Sequence, residues 1–199
     1  CIAKKYSINI IGGSYITEKK GEYFNTCPVF DRKGNLVASY SKMHLYAYYG
    51  CDEDKYVKRG DSPVLVDLDG VKYGLTICYD IRFPELAKLM AEAGAQILFY
   101  PGAFNMTTGP AHWELTFRSR ALDNQVYCVG VAPALNKDAS YHSYGHSIIA
   151  NPWGEVIVQL DEQENMEIAE IDLEEIKKVR TELPLLKNKR SDLYKINLI

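Results

Sequence analysis

Gly74-Leu75-Thr76-Ile77-Cys78-Tyr79-Asp80-Ile81-Arg82-Phe83-Pro84-Glu85-Leu86 is the stretch that decides the fold. A β-like approach, Val71 to Ile77, runs into a cysteine, and the chain then turns into an amphipathic helix. Phe83-Pro84-Glu85 reads as the helix opening, because proline suits the first helical position and an acid in the first turn favours the macrodipole. Leu86, Leu89, Met90 and Ala93 recur at helical spacing, and Gly94 supplies a stop. Such a junction puts Cys78 at the carboxyl edge of a sheet, with the next backbone N–H groups free to hold an anion. Taken alone, the cysteine reads equally as a small buried hydrophobe, the common fate of an unpaired one.

Working outward, Ile8 to Ile16 is a nearly unbroken apolar run, expected as a strand covered on both faces. Tyr23 to Asp31 and Leu36 to Ser41 are extended segments around a turn, Asp31 to Asn35. Met43 to Ser62 has no periodicity, and a loop that long in a compact domain usually has a job. Val64 to Leu68 and Val71 to Ile77 pair around Asp69-Gly70, a strong hairpin signal. After the helix come strand Gln96 to Tyr100, a loop Pro101 to Ala111 at the same edge as Cys78, and a helix His112 to Asn124. Val126 to Ala132, His146 to Ala150, Val156 to Leu160 and Met166 to Ile171 read as strands, Asn136 to Tyr144 as a polar loop, and Leu173 to Leu183 as a helix. Hairpins mixed with β–α units argue for an α/β domain, a mixed sheet layered with helices, spanning residues 1–199 as one unit.

Composition excludes several classes. At 199 residues, 47% hydrophobic and 25% charged, the chain has ample core-forming material for one domain. A net charge of -3 gives no electrostatic reason to expect nucleic acid. No apolar run reaches the ~18 residues of a membrane span. Five cysteines at 1, 27, 51, 78 and 128, with no CxxC pair, argue against a disulfide framework or structural zinc and fit a reducing cytoplasm. The histidines at 44, 112, 142 and 146 show no metal-ligand spacing. The chain opens on Cys1, in a segment that reads as the end of a helix leading into a strand. That suggests a cut inside a larger domain rather than a processed N-terminal nucleophile, which should open a strand.

A hydrolytic cysteine needs a base and a means of holding an oxyanion. No histidine stands near Cys78 in a papain-like or caspase-like arrangement. Lys42 closes a strand at what would be the same edge, and Glu53 sits in the aperiodic loop. Each alone reads as an ordinary surface charge.

Here the residues resemble a family. Gly74 to Leu86 and Tyr40-Ser41-Lys42-Met43-His44-Leu45 are similar to the nucleophile and lysine motifs of the nitrilase (carbon–nitrogen hydrolase) superfamily. Tyr100 to Leu115, Arg118 to Tyr127, Gly145 to Ser147, Asn151 to Glu155 and Lys189 to Tyr194 resemble its ω-amidase branch. The resemblance implies an α-β-β-α sandwich, usually a homodimer. It implies cofactor-free hydrolysis of a small-molecule amide through a thioester, on 2-oxo dicarboxylic acid monoamides in this branch. Nitriles and carbamoyl amines are the superfamily's other substrates.

Carried over residue by residue, the resemblance makes Cys78 the nucleophile, its thiolate favoured by Lys42 and the following helix N-terminus. Lys42 is the triad lysine and Glu53 the second glutamate beside it. The Tyr79 N–H becomes an oxyanion donor, and Phe104 and Thr108 become substrate contacts. The family's base glutamate belongs to a segment before Cys1, so residues 1–199 alone are expected to turn over poorly, and an inactive binding or assembly role stands as the alternative.

Overall fold

The computed structural model describes residues 1–48 and 50–198. A short helix, α1 (Ile2–Tyr6), leads into the first sheet, made of β1 (Ile10–Ile11), β2 (Tyr15–Lys19), β3 (Glu22–Phe30) and β4 (Leu36–Ser41). All its pairings are antiparallel: β1 and β2 follow one another along one edge of β3, and β4 takes the other. The apolar run from Ile8 to Ile16 is therefore not one strand covered on both faces. Ile10 faces Phe30 but Tyr15 faces Thr26, so one extra residue is accommodated at Gly13, whose φ is +70°. Tyr15 and Ile16 beyond the irregularity are exposed.

The loop after β4 holds a two-strand ladder, β5 (Ala47–Tyr48) with β6 (Cys51–Asp52), then a 3-10 turn over Glu53–Lys55. β7 (Val64–Leu68) and β8 (Val71–Leu75) form the expected hairpin, with Asp69 and Gly70 both at positive φ as a type I′ turn requires. A 3-10 turn over Cys78–Arg82 precedes α2 (Pro84–Glu92). Then come β9 (Ile97–Pro101), α3 (Thr108–Asn124), β10 (Tyr127–Val131), β11 (Ile148–Ala150), β12 (Val156–Gln159), α4 (Leu173–Glu182) and α5 (Leu185–Asn188). The second sheet runs β12-β11-β10-β9-β8-β7, parallel through β8, β9 and β10 and antiparallel outside them.

Alternation along these strands sets the layers. Leu98, Tyr100 and Cys128 face Met90 of α2 and Trp113 and Phe117 of α3. From the opposite face, Leu75, with Val66 and Leu68, packs on Cys27, Val29 and Tyr40 of the first sheet. Ile97, Tyr127 and Val129 meet Ile176 of α4 on that same face. The helix–sheet contact is close because β10 carries Gly130: a Cβ there would meet Phe117 Cζ at 2.4 Å.

Two further segments depart from expectation by more than an end residue or two. Met166 to Ile171 forms no strand. The Met166 and Ile168 N–H groups donate to the Asn165 and Glu167 side chains, and both apolar side chains stay exposed. α3 starts at Thr108 rather than His112, because Asn105 Oδ1 accepts from the Thr107 and Thr108 N–H groups and leaves Pro110 in the first turn.

Candidate active site

Cys78 begins its 3-10 turn with φ +48°, a left-handed conformation that non-glycine residues adopt rarely. Such strain persists only where the surroundings over-determine it. Asp80 is the fastener. Its carboxylate, buried to 1% exposure, accepts from the Ile77 N–H at 2.9 Å, the Tyr40 hydroxyl at 2.8 Å and the His44 N–H at 3.1 Å. The His44 ring Nδ1 adds a contact at 2.8 Å, and that ring stacks on Phe83. Since Tyr40 and His44 flank Lys42, one carboxylate ties the lysine segment to the cysteine turn. From α3, Arg120 Nε donates to the Ile81 carbonyl at 2.9 Å. Gly102, just past β9, completes the packing, because a Cβ there would stand 2.5 Å from Cys78 Cβ.

Lys42 is 3% exposed, and its ammonium lies 2.5 Å from Glu53 Oε2. Glu53 also takes the Tyr46 N–H at 2.8 Å and the Asn25 amide at 2.9 Å. Burial pushes the Glu53 carboxyl up, but Lys42 and these donors outweigh it and hold the group below its ordinary 4.5. The Cys78 thiol behaves in the opposite way. Burial raises it above the ordinary 9.0, and the Lys42 ammonium and the contact with the Ala103 carbonyl recover only part of the shift. Lys42 acts on the thiol in the foreseen direction, and desolvation opposes it more strongly. The helix N-terminus is not adjacent either, because α2 starts at Pro84, beyond the 3-10 turn.

All six residues singled out in the sequence line one cavity of about 730 Å³, the size of a small-molecule site. Among the described residues the Tyr79 N–H has no backbone acceptor. Phe104 is nearly buried, edge-on to Trp113 at 5.0 Å, so it is wall and core together. Thr108 donates its hydroxyl proton to Asn105 Oδ1 at 3.0 Å.

Sequence reasoning passed over Arg82, Asn25, Tyr46 and Tyr141, which line the same cavity. Arg82 lies inside the quoted motif, four residues past the cysteine in a turn, and that spacing was the available signal. Its guanidinium sits 4.8 Å from the Phe104 ring centroid and pairs with no carboxylate among the described residues. Tyr141, in the polar loop, donates to the Ala103 carbonyl at 2.8 Å. Among the described residues no group of three or more His, Cys, Asp or Glu could hold a metal, and no helix is long and apolar enough to cross a membrane.

Residues 1–181 match the family Carbon-nitrogen hydrolase. Omega-amidase NIT2 of Homo sapiens is 46% identical over 202 residues, spanning 99% of this chain and 73% of that protein. The Danio rerio protein of the same name is 45% identical over 99% of this chain and 73% of its own length. In three dimensions, Saccharomyces cerevisiae Nit3, a member of branch 10 of the nitrilase superfamily, superposes with a TM-score of 0.89 at 41% identity, covering 95% of this chain and 69% of that one. The C. elegans NitFhit protein superposes with a TM-score of 0.93 at 36% identity over 100% of this chain and 50% of its own. The chain belongs to the carbon-nitrogen hydrolase family.

Proposed function

We propose that this protein is a cysteine-dependent ω-amidase that hydrolyses the terminal amide of small dicarboxylic acid monoamides, with a 2-oxo acid at the far end. The observation that carries the reading is one cavity joining Cys78, the Lys42–Glu53 pair and a guanidinium, Arg82, without a carboxylate partner among the described residues. A dicarboxylic monoamide has an amide carbon for the sulfur and a carboxylate for the arginine. Cys78 Sγ adds to the amide carbon, and the Lys42 ammonium and the Tyr79 N–H hold the oxyanion. Collapse expels ammonia, which takes up the proton the thiol gave, and leaves a thioester, which water opens to the dicarboxylate and the free thiol. Glu53 holds the Lys42 ammonium in place, and its depressed pKa makes it a poor base.

The same reading takes the described chain as one domain that works in the cytoplasm as a homodimer. Supporting the dimer is an exposed apolar face on α3. Leu115 and Leu122 are two turns apart there, and the Trp153-Gly154 turn is held against Leu122 by Arg118 Nε donating to the Gly154 carbonyl at 2.8 Å.

The deciding assay is ammonia release from a 2-oxo dicarboxylic acid monoamide by the full-length protein. Cys78→Ala abolishes it, and Lys42→Ala lowers it ~10²–10³-fold, the usual effect of removing an oxyanion donor. Wild-type turnover in either variant withdraws the reading.

A further inference from the structure

Arg82 stands between two cavities. One is the large space that holds Cys78, and the other is a neighbour of about 150 Å³ lined by Tyr46, Tyr79, Thr108 and His112. Its guanidinium lies over the Phe104 ring at 4.8 Å and 5.9 Å from the Tyr79 ring centroid. Ring contacts of this kind confine the plane of the group and say little about where its N–H fork aims. The directional contact comes from α3, where Arg82 Nη1 lies 3.2 Å from His112 Nδ1. A guanidinium carries five N–H donors and no acceptor, so the proton can run only one way. Arg82 donates and Nδ1 accepts, so the ring's own N–H is placed on Nε2. The ring rides near the start of α3, where Asn105 receives the Thr107 and Thr108 N–H groups at 3.1 and 2.8 Å. It is therefore mounted on a fixed element.

We propose that His112 is a specificity-determining positioning residue. By taking one Arg82 N–H it aims the rest of the fork into the Cys78 cavity, and so sets the preference for amides that end in a carboxylate over neutral amides of the same length. The proposal rests on the reading of Arg82 as the carboxylate anchor. Without the Nδ1 acceptor a long, rotamer-rich side chain would have two cavities to sample, and ligand binding would have to immobilise it afresh.

Protection of Cys78 from iodoacetamide, followed on its own peptide by mass spectrometry at alkaline pH, reads this without needing turnover. The probes are succinamate and butyramide, which differ by a carboxylate in place of a methyl. The wild-type protein is protected at lower succinamate than butyramide concentrations. In His112→Phe that preference falls about tenfold, as expected for loss of one charge-assisted contact. In His112→Asn, whose Oδ1 can occupy the Nδ1 position, most of it returns. His112→Leu replaces the phenylalanine variant if that one does not fold. Equal weakening toward both probes, an unchanged preference, or no rescue by asparagine overturns the proposal. Arg82→Met separates it from its foundation. If that variant keeps the preference, or if succinamate gives the wild type no protection, the anchor reading falls and this inference with it. If only Arg82→Met loses the preference, the anchor stands and His112 has no such part.

Discussion

Glu53 Oε2 stands 2.5 Å from the Lys42 ammonium, while the Asp80 carboxylate closes a separate network around Tyr40, His44 and Ile77. Two acids within a few residues of the same motifs are thus committed to different work. Glu53 fixes a charge, and Asp80 fixes a backbone.

The first commitment has a sign that pH can read. Glu53 in the folded chain lies below its ordinary 4.5, so the pair's contribution is fully present above that value and is lost as pH falls through the lowered one. At neutral pH Glu53→Gln is expected to cost roughly 1.5–3 kcal/mol, the range for a hydrogen bond to a charged group. In acid the two proteins should converge. Urea unfolding across pH checks this, and a constant gap at every pH would remove the electrostatic account of the pair.

Cys78 carries the opposite shift. With its thiol raised above 9.0 mainly by burial, alkylation in the free protein should keep rising with pH beyond the ordinary thiol range. Lys42→Met removes the opposing charge, so its profile should move further upward. Cys27, pushed up to about 12 in the core, serves as the unreactive internal standard. A Lys42→Met profile superimposable on wild type would leave the ammonium without influence on the sulfur.

Much of this was legible in the residues. The β7–β8 hairpin follows from Asp69-Gly70, and the opening of α2 from Phe83-Pro84-Glu85, because both are decided by local backbone chemistry. Lys42 and Glu53 were found by resemblance and not by pattern, since a strand-end lysine and a loop glutamate look like any surface charges until they meet across ten residues of aperiodic chain. The failures are of one kind. Met166 to Ile171 has the composition of a strand but no ladder partner among the described residues, and strand formation depends on pairing more than on propensity. The early start of α3 depends on Asn105 capping from outside the helix, which Gly109-Pro110 disguised as loop. At Cys78 the pull of Lys42 is legible in the residues, whereas the desolvation that opposes it depends on burial and is not.

Asp80 gives the third prediction. Asp80→Asn keeps the shape but turns one acceptor oxygen into an NH₂ facing donors, either the Tyr40 hydroxyl and Ile77 N–H or the two His44 groups. Leaving buried donors unmatched costs about 1–3 kcal/mol each. A clear fall in melting temperature is expected, together with slower Cys78 alkylation in the protein that remains folded. An asparagine variant as stable as wild type would show that the network does not hold the turn.

The exposed face of α3 gives the fourth. Leu115 is 67% exposed and Leu122 38%, and a charge set into an apolar patch blocks its burial against a second copy at little cost to the monomer. Sedimentation should show wild type as a dimer and Leu115→Glu as a monomer of unchanged melting temperature at low concentration. A dimer that survives the substitution puts the contact elsewhere.

Gly102 allows the sharpest separation of folding from chemistry. Its φ is unexceptional, so the need for glycine there is one of space alone. An alanine Cβ would stand 2.5 Å from Cys78 Cβ and 2.6 Å from its Cα, contacts that no rotamer change relieves. One partner must move. The cysteine turn is held by Asp80 and Arg120, and the loop by the Gly102 N–H on the Val131 carbonyl at 2.9 Å and by Tyr141 on Ala103. Overpacking of this kind typically costs ~1–3 kcal/mol, whereas a displacement near 1 Å at a reacting centre can cost ~10²-fold in rate. Gly102→Ala should therefore fold and lose most of its activity. Gly130→Ala, which drives a Cβ into Phe117 within the helix–sheet core, should lose stability while its folded fraction keeps its turnover. Comparable specific activity in the two folded variants would mean that the close approach of Gly102 to Cys78 serves packing alone.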